Sequence, residues 1–361
     1  VKAFDSVCHT KLLFKLSNIG ISGSLLNILK SYLEGRTQQV RIDNCFSNSI
    51  NIISGVPQGS VLGPLLFVIY INDITFCIPE SVNIRLFADD VKLYTEVNSE
   101  ADLIIFQDGL NNLENWAKLW QLNISINKCS LMDLSRNRNV VLNYDNSLLG
   151  ANLNIIDKCR DLGVIIDNKL SFKMHILDLV SKAKQRTSLI FRSFITRDPI
   201  VLLKCYKSFI LPLVDYCSQI WSPYLIHDIL LIESIQRRFT KRIPALSDLS
   251  YSDRLIHLNL ISLERRRLEF DLTLCFKILH SMVGGAISDY GLELSKRKSR
   301  GHSLKLTFCN PRTNVRSNFF ASRVCDPWNS LSEDIVSSSS VKLFKSKLRL
   351  VSLSEFLVVT N

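Results

Sequence analysis

The sequence predicts an α+β fold in which a mixed part precedes a nearly all-helical one. Three observations carry this. Apolar residues alternate with period two at 37–42, 48–54 and 84–94, as half-buried strands do. From about residue 171 to about 280 the apolar period lengthens to that of a helix, and a tail rich in Ser, Lys and Arg closes the 361-residue chain. A chain of that length has material for two or three cores.

Residues 10–33 show helical spacing broken by Gly20 and Gly23, which predicts two amphipathic helices with a turn between them. "TQQVRI" (37–42) and "NSINIIS" (48–54) read as a strand pair with Asn44 near the turn. "GVPQGSVLGPLLFVIYINDI" (55–74) goes from a Gly/Pro loop into a buried helix, which reaches Asp73 too soon to span a bilayer. "IRLFADDVKLY" (84–94) gives two short strands, 84–88 and 91–94, that meet at Asp89 and Asp90. Residues 101–120 form an amphipathic helix, and "LNISINKCSLMDL" (122–134) and "RDLGVIID" (160–167) supply further strands.

Hydrophobic content of 47% and charged content of 21% describe a folded protein. Of the net charge of +11, about +9 lies from Leu231 onward, where 21 basic residues face 12 acidic ones. Such an excess favours a polyanionic partner, and its sign alone does not separate nucleic acid from an anionic membrane. The ten cysteines form no CxxC pair, which argues against a zinc ribbon and for reduced thiols. No secretion signal is visible, and Val1 opens inside a patterned segment, as a fragment would.

The adjacent carboxylates of Asp89 and Asp90 raise the chemical question. A bare Asp-Asp pair is ordinarily a solvated turn, yet a two-residue hairpin turn prefers Asn-Gly or Asp-Gly. Two like charges at the tip of an apolar hairpin break a local rule, and such breaks mark functional sites. A partner cation removes the repulsion. Mg²⁺ is the natural choice, since it takes carboxylate oxygens and leaves room for substrate phosphates. Two such ions serve nucleotidyl transfer, with a further carboxylate from another strand.

"FADD" (87–90), "GVPQGSVLGPLLF" (55–67) and "KAFDSV" (2–7) together resemble the palm of a reverse transcriptase, and more closely the non-LTR (LINE-like, Jockey/CR1-type) retrotransposon polymerases. "NKCSLM" (127–132), "RDLGVIID", "LPLVDYCSQIWSPY" (211–224) and "WNSLSED" (328–334) extend the likeness in the family's order. The resemblance implies RNA-directed DNA polymerase activity by two-Mg²⁺ transfer from a deoxynucleoside triphosphate to a primer 3′-OH. It implies RNA template and DNA primer as partners and no membrane. It also implies a ribonucleoprotein with the element's RNA, in nucleus or cytoplasm.

Carried over residue by residue, Asp89 and Asp90 become metal-binding catalytic carboxylates, and Lys128 a general acid toward pyrophosphate. Phe4 becomes the aromatic that crowds a ribose 2′-OH, and Gln58 and Gly59 shape the nucleotide site. Arg160, Asp161, Leu162 and Gly163 become a primer-grip hairpin. The implied architecture is a right-hand polymerase with a partial palm at 1–170, its fingers missing, a helical thumb at 171–250 and a basic C-terminal region at 251–361. The family's first catalytic aspartate falls two residues before Val1, so the expectation is that this piece alone is inactive. The competing expectations are a catalytically dead remnant that only binds nucleic acid, and an RNA-binding maturase-like protein on the same palm.

Overall fold

The computed structural model describes residues 3–134, 145–296, 301–308 and 311–359. Lys2 of "KAFD" and the basic residues at 297–300 lie outside them. The chain divides into two compact units, Val1–Ile156 and Asp157–Asn361.

In the first unit, α1 (His9–Asn18) and α2 (Gly23–Leu33) pack on one another, with Gly20 at φ 93° in the turn between them. A nested hairpin follows. β1 (Thr37–Gln38) pairs with β4 (Ile50–Asn51) and, inside it, β2 (Arg41–Ile42) with β3 (Cys45–Phe46), so that Asp43 and Asn44 make the turn. α3 (Leu62–Ile71) buries Leu66, Phe67, Tyr70 and Ile71. Its other face carries Leu65 and Val68, 55% and 47% exposed, which corrects the expectation of a buried helix. A helix that is apolar all round has no face legible in its sequence, and α1 packs against only one side of it.

β5 (Asn83–Phe87) and β6 (Asp90–Tyr94) form an antiparallel hairpin, and α4 (Glu100–Trp120) packs beneath. Asp102 accepts from the backbone N–H of Ser99 at 2.8 Å and so closes the first turn of α4. The strand expected over 122–134 is a correction. Leu122, Ile124 and Ile126 do lean on the core, but among the described residues no partner strand offers them a ladder. Residues 126–128 close a 3-10 turn instead, and only β7 (Ser130–Leu131) pairs, in parallel with β10 (Asn154–Ile155). β8 (Ser147–Leu148) and β9 (Ala151–Asn152) make a small hairpin.

One core joins these elements, with Leu12, Leu16, Phe67, Tyr70, Leu110 and Trp116 among its members. Lys15 is drawn into it. Its ammonium lies 3.5 Å from the Trp120 ring centroid, close to Tyr70 and Trp116, and 2.6 Å from Asp73. Burial pulls the Lys15 pKa down, and the Asp73 carboxylate opposes that.

The second unit opens with the hairpin β11 (Lys158–Asp161) and β12 (Val164–Asp167). α5 (Lys173–Ser193), α6 (Pro199–Phe209), α7 (Leu211–Asp215), α8 (Ser218–Trp221) and α9 (Ile226–Lys241) enclose a core that contains the fully buried Trp221, Tyr206 and Ile232. α10 (Tyr251–His257) leads to α11 (Leu263–Leu279). Five short helices follow: α12 (Asn314–Ser317), α13 (Phe320–Arg323), α14 (Cys325–Asn329), α15 (Glu333–Val336) and α16 (Val341–Leu348). They fold onto α11 around Trp328, Phe276 and Phe344. The serine run 337–340 is spent on helix ends: Ser337 and Ser338 donate to carbonyls of Glu333 and Ile335, and Ser340 caps α16. Paired guanidiniums lock α11 in place, Arg266 on Asp215 with two 2.7 Å bonds and Arg323 on Asp271 at 2.8 and 3.0 Å.

No disulfide joins one described cysteine to another. Among the described residues no helix is long and apolar enough to cross a membrane.

Candidate active site

The β5–β6 register decides how the two carboxylates stand. Phe87 pairs with Asp90, so Ala88 and Asp89 are the turn residues and Asp90 already belongs to β6. This shifts the expected turn by one position. Ala88 takes φ 49°, a left-handed conformation that disfavours a Cβ. Strain of this kind persists where the surrounding structure holds it, here five paired residues and the burial of Leu86 and Leu93 against the core. The hairpin thus presents Asp89 and Asp90 side by side, both exposed. Among the described residues neither carboxylate has a hydrogen bond or ion pair, and no group of three His, Cys, Asp or Glu side chains forms a metal cage. The two carboxylates by themselves offer hard oxygen donors.

A second cluster forms where the segment 3–9 meets the loop 54–60. Backbone bonds run from Val56 N to Phe4 O (2.9 Å) and from Gly55 N to Val7 O (2.8 Å). The His9 ring bonds Gly55 O at 2.8 Å, and Ser54 Oγ donates to Asp5 O at 2.8 Å. Gly55 is required here: it sits at φ 91°, and a Cβ would stand 2.8 Å from the Cα of Asp5. Gln58 Nε2 then donates to Asp5 Oδ1 at 2.6 Å. Phe4 stacks on Phe67, centroids 4.1 Å apart and planes 16° from parallel. Gly59, at φ 77°, faces open space. The structure therefore brings Phe4, Gln58 and Gly59 into one neighbourhood. Asp5 and Gly55 complete it; the sequence marks no role for Gly55, whose positive φ and close approach are tertiary facts.

Lys128 ends the 3-10 turn Ile126–Lys128, exposed, while Ile126 and Cys129 on either side lean on the core that Leu86 and Leu93 also touch. Burial pushes the Cys129 thiol up.

In the second unit, Leu162 (φ 43°) and Gly163 (φ 93°) form the β11–β12 turn. Tyr216 fixes it from outside, its hydroxyl donating to Leu162 O at 2.7 Å, and a Cβ on Gly163 would lie 3.3 Å from the Tyr216 ring. Arg160 and Lys182 both bond Asp178 Oδ2, at 3.1 and 2.8 Å. The Lys182 ammonium first, and Arg160 with it, holds the Asp178 carboxyl below the usual range against a smaller burial effect. Tyr216 lies within the quoted "LPLVDYCSQIWSPY" segment without a role assigned to it, and no sequence signal marks Asp178.

Residues 1–166 match the family model described as reverse transcriptase (RNA-dependent DNA polymerase). The chain is 30% identical over 231 residues, 61% of its length, to the RNA-directed DNA polymerase from mobile element jockey of Drosophila funebris. It is 29% identical over 250 residues, 67% of its length, to the probable RNA-directed DNA polymerase from transposon X-element of Drosophila melanogaster. A third relative, the probable RNA-directed DNA polymerase from transposon BS of the same fly, is 30% identical over 237 residues, 61% of the chain. The matched regions span 25%, 27% and 25% of these relatives, about a quarter of each.

Proposed function

We propose, for a chain whose residues 1–166 match the reverse transcriptase family and which resembles the polymerases of non-LTR retrotransposons, that its activity is RNA-templated DNA synthesis. The primer 3′ oxygen bonds to the α-phosphorus of a deoxynucleoside triphosphate, the bond from that phosphorus to the leaving oxygen breaks, and pyrophosphate departs. The observation that carries the reading is the bare pair Asp89–Asp90 on a strained hairpin tip.

These carboxylates would hold Mg²⁺, since that ion binds through one or two carboxylates together with substrate phosphates. When bound, it supplies charge stabilisation to the attacking and leaving oxygens. Phe4, held on Phe67, would crowd a 2′-hydroxyl, and Gln58 and Gly59 would line the nucleotide site. Lys128 would give a proton to pyrophosphate. Arg160, Asp161, Leu162 and Gly163 would carry the primer end. Residues 1–170 would act as palm, 171–250 as thumb and 251–361 as a basic platform, in a ribonucleoprotein with the template RNA.

The test is primer extension on an RNA template by the reading frame that contains this chain, with Mg²⁺ and deoxynucleotides. Extension that disappears with a chelator and in Asp89→Asn supports the proposal; extension that survives the substitution overturns it. The charge of about +9 from Leu231 onward favours a second reading, a nucleic-acid-binding remnant. Tight salt-dependent binding with no extension by that frame would select it.

A further inference from the structure

In the C-terminal part of the second unit, the buried Phe320 and the half-buried Leu274 of α11 help to line a cavity of about 470 Å³. That is the size of a small-ligand site, and such sites pair apolar walls with a few polar groups. Ile220 of α8 and Phe319 extend the apolar wall outward, 50% and 42% exposed. Two opposite charges share the lining, Arg316 of α12 and Asp289 of the 3-10 turn Ile287–Tyr290. Among the described residues they form no ion pair with one another.

Each is held by something else. The Arg316 guanidinium lies 5.3 Å from the Phe319 ring centroid. It reaches across to Gly291, where a Cβ would stand 3.6 Å from its Nη2. Among the described residues no hydrogen bond engages that guanidinium. Asp289 uses one oxygen, Oδ2, to accept from the backbone N–H of Ala286 at 2.9 Å, which leaves Oδ1 open. The exposed fork and the exposed carboxylate therefore both remain available to a ligand.

A ligand that satisfies both must accept hydrogen bonds on one edge and donate them on another. A phosphate or an acidic side chain meets Asp289 as a like charge, and an ammonium meets Arg316 the same way. Guanine meets both demands on a neutral, flat ring. Its O6 and N7 accept a guanidinium fork, and its N1–H and exocyclic amine donate to a carboxylate. Adenine sets a donor beside N7 and so offers the fork only one acceptor there. In a duplex the donor edge is taken by cytosine, so the guanine must be unpaired. Unpaired bases stack on aromatic rings and are read at their edges. The charge of about +9 from Leu231 onward draws a polyanion to this part of the chain.

We propose that this cavity takes one unpaired guanine base of a bound RNA, with Arg316 on the O6/N7 edge and Asp289 on the N1–H and amine edge. The proposal rests on the reading of the chain as a protein that acts on RNA, and binding tests it apart from synthesis.

The experiment measures by fluorescence anisotropy, with the whole chain, the affinity for short labelled RNAs. One is all uridine; the others carry a single central guanosine, adenosine, cytidine, 7-deazaguanosine or inosine. Guanosine should raise affinity roughly tenfold over uridine, and adenosine and cytidine should not. In the wild type, 7-deazaguanosine (no N7 acceptor) and inosine (no exocyclic amine) should each lose most of that gain. Arg316→Gln should bind guanosine and 7-deazaguanosine alike, with the gain cut to about twofold or less. Asp289→Asn, which keeps an oxygen for the Ala286 N–H, should bind guanosine and inosine alike. Arg312→Gln, which removes an exposed charge of the same segment, should weaken all the RNAs equally and keep the gain.

No binding of any of these RNAs, equal affinity for guanosine and uridine, or a gain that Arg316→Gln leaves intact overturns the pocket. Guanosine monophosphate bound through Arg316, with no guanosine gain in RNA, would assign the cavity to a free nucleotide and overturn the RNA assignment. An acidic, phenylalanine-rich peptide whose binding is lost in Arg316→Gln, while the RNAs bind as to wild type, would make it a peptide groove and overturn the base. A guanosine gain in a chain whose reading frame extends no primer keeps the pocket and removes the polymerase reading; extension without the gain does the reverse.

Discussion

Gln58 reaches across 2.6 Å to Asp5 Oδ1 and so ties the "PQG" loop to the segment that carries Phe4. The two motifs lie about fifty residues apart in sequence, and this side-chain bond adds to the backbone bonds from Gly55 and Val56 that join them. On the proposed reading, the bond would hold the Gln58 amide before a nucleotide arrives, pre-organisation of the kind that saves entropy on binding.

The hairpin tip gives the first prediction. In the reading frame containing this chain, Asp89→Asn should cut primer extension by about a hundredfold or more, equivalent to about 2.7 kcal/mol, with unchanged circular dichroism. The side chain is exposed and has no partner among the described residues, so folding has little to lose. A rate near wild type would remove Asp89 from the chemistry.

Sugar selection gives the second. Phe4→Val should weaken the preference for deoxynucleotides over ribonucleotides by roughly 10–100-fold, or about 1.4–2.7 kcal/mol. The change also thins the stack on Phe67, but a preference ratio measured within one protein cancels a general loss of active molecules. An unchanged ratio would make Phe4 a core residue only.

The third concerns the join itself. Gly55→Ala forces a Cβ to 2.8 Å from the Asp5 backbone at φ 91°, so it should destabilise the first unit by about 1–3 kcal/mol. Thermal melting checks this. Gly20→Ala is the comparison: it shares a positive φ but meets nothing within 4 Å, so it should cost less.

How far the sequence carried can be judged on these residues. The Asp89–Asp90 tip was legible because period-two strands flank it, and the helices from 173 onward because their apolar stripes keep a steady period. The turn was misplaced by one residue because Ala88, with no sequence mark of a turn, accepts the positive φ. Alternation places Lys128 on a strand because it reports which side chains face a core, not whether a ladder exists. Lys15 among Tyr70, Trp116 and Trp120 was invisible, since its partners arrive from other helices.

Acid sensitivity gives the fourth. The folded pKa of Asp178 is depressed, chiefly by Lys182 and then Arg160. A depressed carboxylate contributes stability above its unfolded pKa, about 3.9, and loses it as pH falls through the lower folded value. Wild type should therefore exceed Asp178→Asn in stability at neutral pH, and the gap should close below about pH 4. A gap that persists under acid would mean that Asp178 acts through packing and not through its charge.

Helix α11 gives Leu263 to the core of α5, α6 and α9, and Leu272, Cys275 and Phe276 to the core around Trp328. Neither core can open far without disturbing the same rod, so unfolding of residues 157–361 should be one cooperative event. Amide exchange would then report a common opening free energy for Ile235 and Phe344, although about a hundred residues separate them. A stop codon anywhere in 263–279 would unravel helices that lie well before it in the chain. Truncation is therefore the wrong instrument for dissecting this half of the molecule, and point changes of surface charge are the right one.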